Sequence, residues 1–205
     1  MEGPVTVAVT GPFASGKSTL VRFLGELPGA ETASADEIVH HLLKEDASAI
    51  SRIVERFGED VRGESGIDRK ALGSKVFGDA IALRDLEGIL HPPVRRETDR
   101  RIEASDADLF IVEIPLLFET ERGEDFDYTV AVVVPEGRRR AWAEERGVDE
   151  AALRAIEGRQ FSGEEKAGLA DLVVQNDGDL DKLKRQAEQL GRMISRERGS
   201  NVDLR

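Results

Sequence analysis

Cysteine is absent from the 205 residues, which excludes disulfide frameworks, thiolate zinc sites and thiol catalysis together. The redox compartment stays open on that ground. An excess of basic charge is also missing: 29 lysines and arginines face 41 aspartates and glutamates, a net charge of −12, whereas affinity for a phosphate backbone is built from clustered Lys and Arg. No nucleic-acid partner is expected, and any anionic ligand must be held by a local site. No apolar run approaches the roughly 18 residues a membrane span needs, and Met1-Glu2-Gly3-Pro4 lacks the basic and apolar regions of a signal peptide. The expectation is a cytoplasmic protein with no membrane partner. Repeats and low-complexity stretches are absent as well. What is present, 40% hydrophobic and 34% charged residues, can bury a large core without cross-links. Global disorder is excluded, and the length fits one large domain or one domain carrying an insertion.

Val5-Thr6-Val7-Ala8-Val9-Thr10 is a β-branched run ending at a Gly/Pro break, which suits a buried strand better than so short a helix. Similar runs occupy Leu109 to Ile114, Thr129 to Val134 and Leu172 to Val174, and Glu31 to Ser34 is a shorter strand-like segment. Between them lie helix-like segments, Asp36 to Phe57, Asp68 to Ser105, Glu136 to Gln160 and Asp179 to Arg198. The alternation predicts an α/β fold with a parallel five-stranded sheet flanked by helices. Because 68–105 carries no strand signal, it reads as a helical insertion on one side of the sheet. The tail Gly199–Arg205 reads as frayed.

Directly after the first strand stands Gly11-Pro12-Phe13-Ala14-Ser15-Gly16-Lys17-Ser18-Thr19, a match to the P-loop pattern G-x-x-x-x-G-K-[ST]. Glycines at both ends let the backbone wrap tightly, so that successive N–H groups and the start of the next helix point at phosphate oxygens. Lys17 adds a mobile charge for the β- and γ-phosphates, and Ser18 is placed to ligate Mg²⁺. The bland alternative, a glycine-bearing turn, rarely falls between a strand and a helix. The motif says nucleoside triphosphate, not what is done with it. A GTPase would add an Asn-Lys-x-Asp motif, absent here, and Asp85-Leu86-Glu87-Gly88 imitates D-x-x-G only inside a helical segment. A switch protein is disfavoured.

A small-molecule kinase needs instead an acidic base near the acceptor hydroxyl and arginines that close over the phosphates, since its transition state is stabilised by positioning and charge. Asp36 follows the second strand-like segment, at the carboxyl edge where open α/β sheets bind ligands. It is either a general base or the N-cap of the next helix. Arg138-Arg139-Arg140, with Arg146, Arg154 and Arg159 beyond, lie between the last two strands, where such kinases carry a lid. Singly, each also fits a solvated helix face, but the cluster is conspicuous in so acidic a chain. Glu113 either holds a Mg²⁺-bound water or is only a polar strand end.

Several separated blocks go further: Gly66-Ile67-Asp68-Arg69-Lys70-Ala71-Leu72 with Val76-Phe77, Leu86 to His91-Pro92 with Val94-Arg95, Pro115-Leu116-Leu117-Phe118-Glu119, then Gln160, Lys166, Ala170-Asp171 and Asn176-x-Gly178. Together they resemble the dephospho-coenzyme A kinase family, nearly from Val5 to Leu190. The resemblance implies a P-loop kinase with a nucleotide-binding core (1–60, 106–135 and 171–198), a helical acceptor-binding insertion (61–105) and a lid (136–170). It also implies transfer of the γ-phosphoryl of Mg²⁺·ATP to the ribose 3′-hydroxyl of dephospho-coenzyme A, the last step of coenzyme A synthesis, by a monomer or small homo-oligomer. On this resemblance Asp36 is the base, and His91, Arg95, Leu116, Leu117, Phe118 and Glu119 serve the acceptor. Asn176 and Gly178 lie against the adenine, and Arg140 and Arg159 rank first among the lid arginines. Arg95 is one helical turn beyond His91, and a guanidinium suits a pyrophosphate. His91 is otherwise a helix-start residue before Pro92, and Asn176 to Gly178 a simple turn.

Two departures from the family pattern stand out. Its P-loop is usually richer in glycine than Pro12-Phe13-Ala14, and Ser34 stands where many members have a further Asp. Neither change removes an essential group. The competing readings are another P-loop kinase of a nucleoside, nucleotide or small metabolite, and a non-catalytic nucleotide-binding regulatory protein. Lys17, Ser18 and Asp36 speak against the second.

Overall fold

The computed structural model describes residues 3–202. All five expected strands form: β1 at Val5–Thr10, β2 at Ala30–Ser34, β3 at Leu109–Glu113, β4 at Tyr128–Val133 and β5 at Leu172–Gln175. They make one sheet ordered β2-β3-β1-β4-β5, parallel throughout, with Val9 of β1 beside Glu113 on one side and Val130 on the other. The run is nearly all apolar because a parallel sheet is covered on both faces. One cover is α9 (Leu180–Val202), whose Leu183, Ala187, Leu190 and Ile194 recur at helical spacing and pack with Leu20, Phe23 and Leu24 of α1 (Lys17–Gly25) and with β1 and β4. The tail expected to fray from Gly199 thus begins inside a helix that runs to Val202, and 203–205 lie outside the described residues. Among the described residues no helix is long and apolar enough to cross a membrane.

The amino ends of the strands are clipped by a repeated device. Thr6 donates both its N–H (2.8 Å) and its hydroxyl (2.9 Å) to Asp127 Oδ2, and the Asp127 N–H returns a bond to Thr6 Oγ1 at 3.0 Å. Thr129 and Asp171 repeat it, at 2.8, 2.6 and 3.0 Å. Register is thereby pinned between β1 and β4 and between β4 and β5, which in turn fixes where the opposite, carboxyl ends of those strands stand.

The chain divides into two compact units, one formed by residues up to Ala33 and from Ser105 onward, the other by Ser34–Ala104. The second unit contains α2 (Ala35–Glu45), α3 (Ala47–Phe57), α4 (Arg69–Val76) and α5 (Ala80–Glu103). The second compact unit thus begins at Ser34, ahead of the expected insertion start at residue 61. Leu43 of α2 and Ile53, Val54 and Phe57 of α3 bury against Leu72 of α4 and Ile89 and Leu90 of α5, so the first two helices belong with the insertion and not with the core.

Three of the four long helix-like segments are broken where an aspartate takes over the next N-terminus, and only the last stays one helix, α9. Asp46 ends α2 and accepts from Ala49 N at 2.7 Å to start α3, Asp68 caps α4, and Asp79 caps α5. In the first unit, Asp149 separates α6 (Glu136–Glu145) from α7 (Glu150–Glu157). A side-chain oxygen offered to one or two free N–H groups there competes with continuing the helix. One helix was missed, α8 (Gly163–Leu169), although Ser162 and Glu165 form a full capping box whose S-x-x-E signature was legible. Conversely, α5 runs straight through Pro92 and Pro93. His91 is thus an interior residue and not a helix start. Two missing N–H donors are tolerated because Ile89, Leu90 and Val94 bury the flanking turns.

Candidate active site

The P-loop lies between the carboxyl end of β1 and α1, and its backbone explains its glycines. At Gly11 (φ +151°) a Cβ would collide with the Val132 carbonyl, and at Gly16 (φ +92°) with the Asn176 amide. Gly16 is also the N-cap of α1 and brings no side-chain cap, the arrangement that in a P-loop leaves first-turn amides and the positive helix end to phosphate oxygens. Ala14 takes the left-handed conformation too, at φ +59°, which costs a non-glycine residue about 1–2 kcal/mol. Its side chain is buried with Ala143 and Leu153, and Phe13 and Trp142 pack on the same cluster. The departure from a glycine-rich loop therefore has a physical use, since Phe13 and Ala14 supply apolar contact to α6 and α7.

Around this loop the first unit assembles four polar contacts. Lys17 Nζ donates to the Pro12 carbonyl at 3.0 Å, and the Ser18 hydroxyl donates to Glu113 Oε1 at 2.9 Å. Asn176 Nδ2 donates to the Ser15 carbonyl at 2.8 Å, and Gln160 Oε1 accepts the Phe13 N–H at 3.0 Å. Ser18 with Glu113 is a hydroxyl and a carboxylate, the hard-oxygen chemistry a Mg²⁺ ion takes. No group of three or more His, Cys, Asp or Glu able to hold a metal occurs among the described residues. Such a site suits Mg²⁺ held mainly by nucleotide phosphates and waters, with one or two protein oxygens.

A cleft of about 680 Å³ opens beside the loop, lined by Gly16, Thr19, Trp142, Arg146, Asn176 and Leu180 among others, within the size range of nucleotide-sized pockets. Gly178 also lines it, and its carbonyl accepts from Arg138, whose guanidinium lies 5.7 Å from the Trp142 ring centroid. Asn176 is only 5% exposed and spends its amide on the P-loop, which makes it a clamp on that loop. Trp142, the sole tryptophan of the chain, was not singled out from sequence, because one aromatic in a charged helix carries no motif.

Three assigned residues are engaged elsewhere. Leu117 is fully buried, so it packs the core and presents nothing to an acceptor. Glu119 binds Lys166 at 2.7 Å and accepts the Phe161 N–H at 2.7 Å. Those contacts fall on Oε1, and Oε2 also accepts from Lys166, at 2.9 Å, so both oxygens are committed inside the unit. Arg140 is held by Glu136 and Glu150, each at 2.8 Å, the arrangement of the solvated-face alternative. Arg154 shares Glu150, at 3.1 Å, and Arg139 pairs with Glu157. Arg159 is exposed beside Gln160 in the turn after α7, and Arg146 stands 5.8 Å from the Phe13 ring centroid. Leu116 and Phe118 are half-buried.

In the second unit Asp36 is exposed in the first turn of α2. Its N-cap alternative fails, because Ser34 is the N-cap and accepts from Glu37 N at 3.4 Å. His91 and Arg95 are both exposed, one turn apart on α5.

The family model for dephospho-CoA kinase matches residues 5–182. The chain belongs to that family. A dephospho-CoA kinase of Leifsonia xyli is 39% identical over 190 residues, covering 90% of this chain and 96% of its own. The solved dephospho-CoA kinase from Campylobacter jejuni superposes with a TM-score of 0.69 at 28% identity, covering 94% and 98% of the two chains. Shikimate kinase from Acinetobacter baumannii, at 14% identity and a TM-score of 0.58 over 95% of this chain and 94% of its own, shares the P-loop kinase fold alone. The chain is thus a kinase of the dephospho-CoA kinase family.

Proposed function

We propose that the protein transfers the γ-phosphoryl group of Mg²⁺·ATP to the ribose 3′-hydroxyl of dephospho-coenzyme A, giving coenzyme A and ADP. The observation that carries the reading is the extent of the family match, which spans the P-loop unit and the whole helical unit, where a shared P-loop alone would cover only the first. In this reading the P-loop amides and Lys17 bind the β- and γ-phosphates, and Ser18 and Glu113 offer oxygens to Mg²⁺ or its waters. Bound there, the ion neutralises charge on the phosphate oxygens. Asp36 accepts the proton of the attacking hydroxyl, a role its exposed carboxylate suits now that the cap belongs to Ser34. His91 and Arg95 hold the acceptor's anionic portion, Trp142 and Leu180 border the base, and Arg159 and Arg146 are the arginines of the lid region best placed to serve the nucleotide. The lid region is α6 to α8, and the helical unit is the acceptor side.

Coupled ADP release tests the reading, with dephospho-coenzyme A set against adenosine, other nucleosides, nucleoside monophosphates and shikimate. Dephospho-coenzyme A should exceed every other acceptor in kcat/KM by at least about a hundredfold, and the product should carry phosphate at the 3′ position by ³¹P NMR. Better turnover of a nucleoside or monophosphate would replace the acceptor assignment. Absence of single-turnover transfer to any acceptor would favour the regulatory alternative.

A further inference from the structure

Lys166, on α8, has no exposed surface. Its ammonium has three protons and meets three partner groups: the Glu119 carboxylate, Oε1 at 2.7 Å and Oε2 at 2.9 Å, the Pro115 carbonyl at 2.8 Å and Thr10 Oγ1 at 3.3 Å. Burial lowers the Lys166 pKa, and the Glu119 carboxylate opposes that fall. Where these partners sit matters more than the pairing itself. Thr10 is the residue before Gly11, the first of the P-loop. Pro115 lies two residues beyond Glu113, the carboxylate bonded to Ser18. Glu119 takes the N–H of Phe161, and the preceding residue, Gln160, takes the N–H of Phe13 inside the P-loop. One buried cation therefore joins the entry to the P-loop, the strand end that carries Glu113, and the turn between α7 and α8.

A buried ion pair is a poor device for stability alone, because apolar residues of similar volume often serve as well or better. What such a pair supplies is a single geometry, since each charge tolerates only the arrangement that satisfies it. We propose that Lys166 and Glu119 are positioning residues for the nucleotide, holding the P-loop entry, the Glu113 segment and the base of the lid in one register without touching the substrate. This rests on the reading of the P-loop as the nucleotide site. Losing the pair should weaken Mg²⁺·ATP binding and spare the acceptor.

The test uses the full chain and Mg²⁺·ATP, with the lone Trp142 as a fluorescence reporter in the cleft. Lys166→Met alone leaves a buried unpaired carboxylate and can fail to fold, so the informative variant is Lys166→Met/Glu119→Gln, which removes both charges together. Expected are a melting temperature near the wild-type value, an ATP dissociation constant and KM raised about tenfold, and a KM for dephospho-coenzyme A within about twofold. Wild-type ATP affinity in the folded double variant would overturn the proposal and leave the pair a purely structural role, as would equal losses for both substrates. Should the double variant not fold, Thr10→Val decides the matter, since it removes the Thr10 hydroxyl's bonds to Lys166 and to the Pro115 carbonyl (both 3.3 Å) and keeps the ion pair. A severalfold weaker ATP affinity supports positioning, and wild-type affinity refutes it. The titration needs no turnover, so a wild-type protein that binds Mg²⁺·ATP but phosphorylates some other acceptor would sink the acceptor assignment while leaving this inference standing.

Discussion

Asp36→Asn separates chemistry from folding more cleanly than any other single change in this chain. The capping oxygen at the start of α2 comes from Ser34, so the substitution removes no cap. It removes one negative charge from the first turn, where Glu37 remains, and such a charge is worth about 0.3–1 kcal/mol against the helix dipole. For a chain of this size that is a melting shift of about 1–4 °C. If Asp36 accepts the proton, losing that function costs about 10²- to 10⁴-fold in kcat, equal to ~2.7–5.5 kcal/mol of barrier. The two effects differ enough to be read apart. Steady-state ADP release at saturating dephospho-coenzyme A and a thermal melt on the same sample supply both numbers. Ser34→Ala is the converse control, expected to lose about 1 kcal/mol of stability and to keep kcat within twofold. A folded Asp36→Asn enzyme with kcat within about threefold of wild type, under ~0.7 kcal/mol, would refute the base assignment and turn attention to Glu113.

Four further outcomes are expected. Lys17→Ala should fold and lose more than 90% of turnover, a barrier rise above ~1.4 kcal/mol, and a folded variant retaining more would remove Lys17 from the phosphate site. Arg95→Ala should raise KM for dephospho-coenzyme A well beyond that for ATP, so equal weakening of both would take Arg95 off the acceptor side. Thr129→Val breaks the clip to Asp171 and leaves its carboxylate short of a donor, which should cost about 1–3 kcal/mol in chemical denaturation without altering either KM. Contact with Arg100 first, then Arg101, holds the Glu97 carboxyl down to about 2 from an ordinary 4.5. Because the folded pKa is the lower one, this contribution is complete above about pH 4.5 and is lost as pH falls toward 2. Glu97→Gln should flatten acid unfolding in that window, and an unchanged acid limb would show that the pair is too well screened to matter.

The strands, the P-loop and the family were legible from residue order because each is a local pattern. A buried parallel strand must be an apolar run, and a phosphate loop must place glycines and a lysine at set intervals. Helix ends were less legible, since Asp46, Asp79 and Asp149 break segments whose periodicity continues across them, and α8 is only seven residues long. The unit boundary at Ser34 could not be read, because Leu43, Ile53 and Phe57 are apolar whichever core they join. Only tertiary packing decided what each charged residue is bonded to. Glu119 and Glu113 carry the same charge in the sequence, yet the fold gives the first to Lys166 and the second to the Ser18 hydroxyl, while Arg140 goes to Glu136 and Glu150. Charge is written in residue type, but its availability depends on which neighbours the fold brings within about 3 Å, and those neighbours here lie as far off along the chain as Lys166 from Thr10.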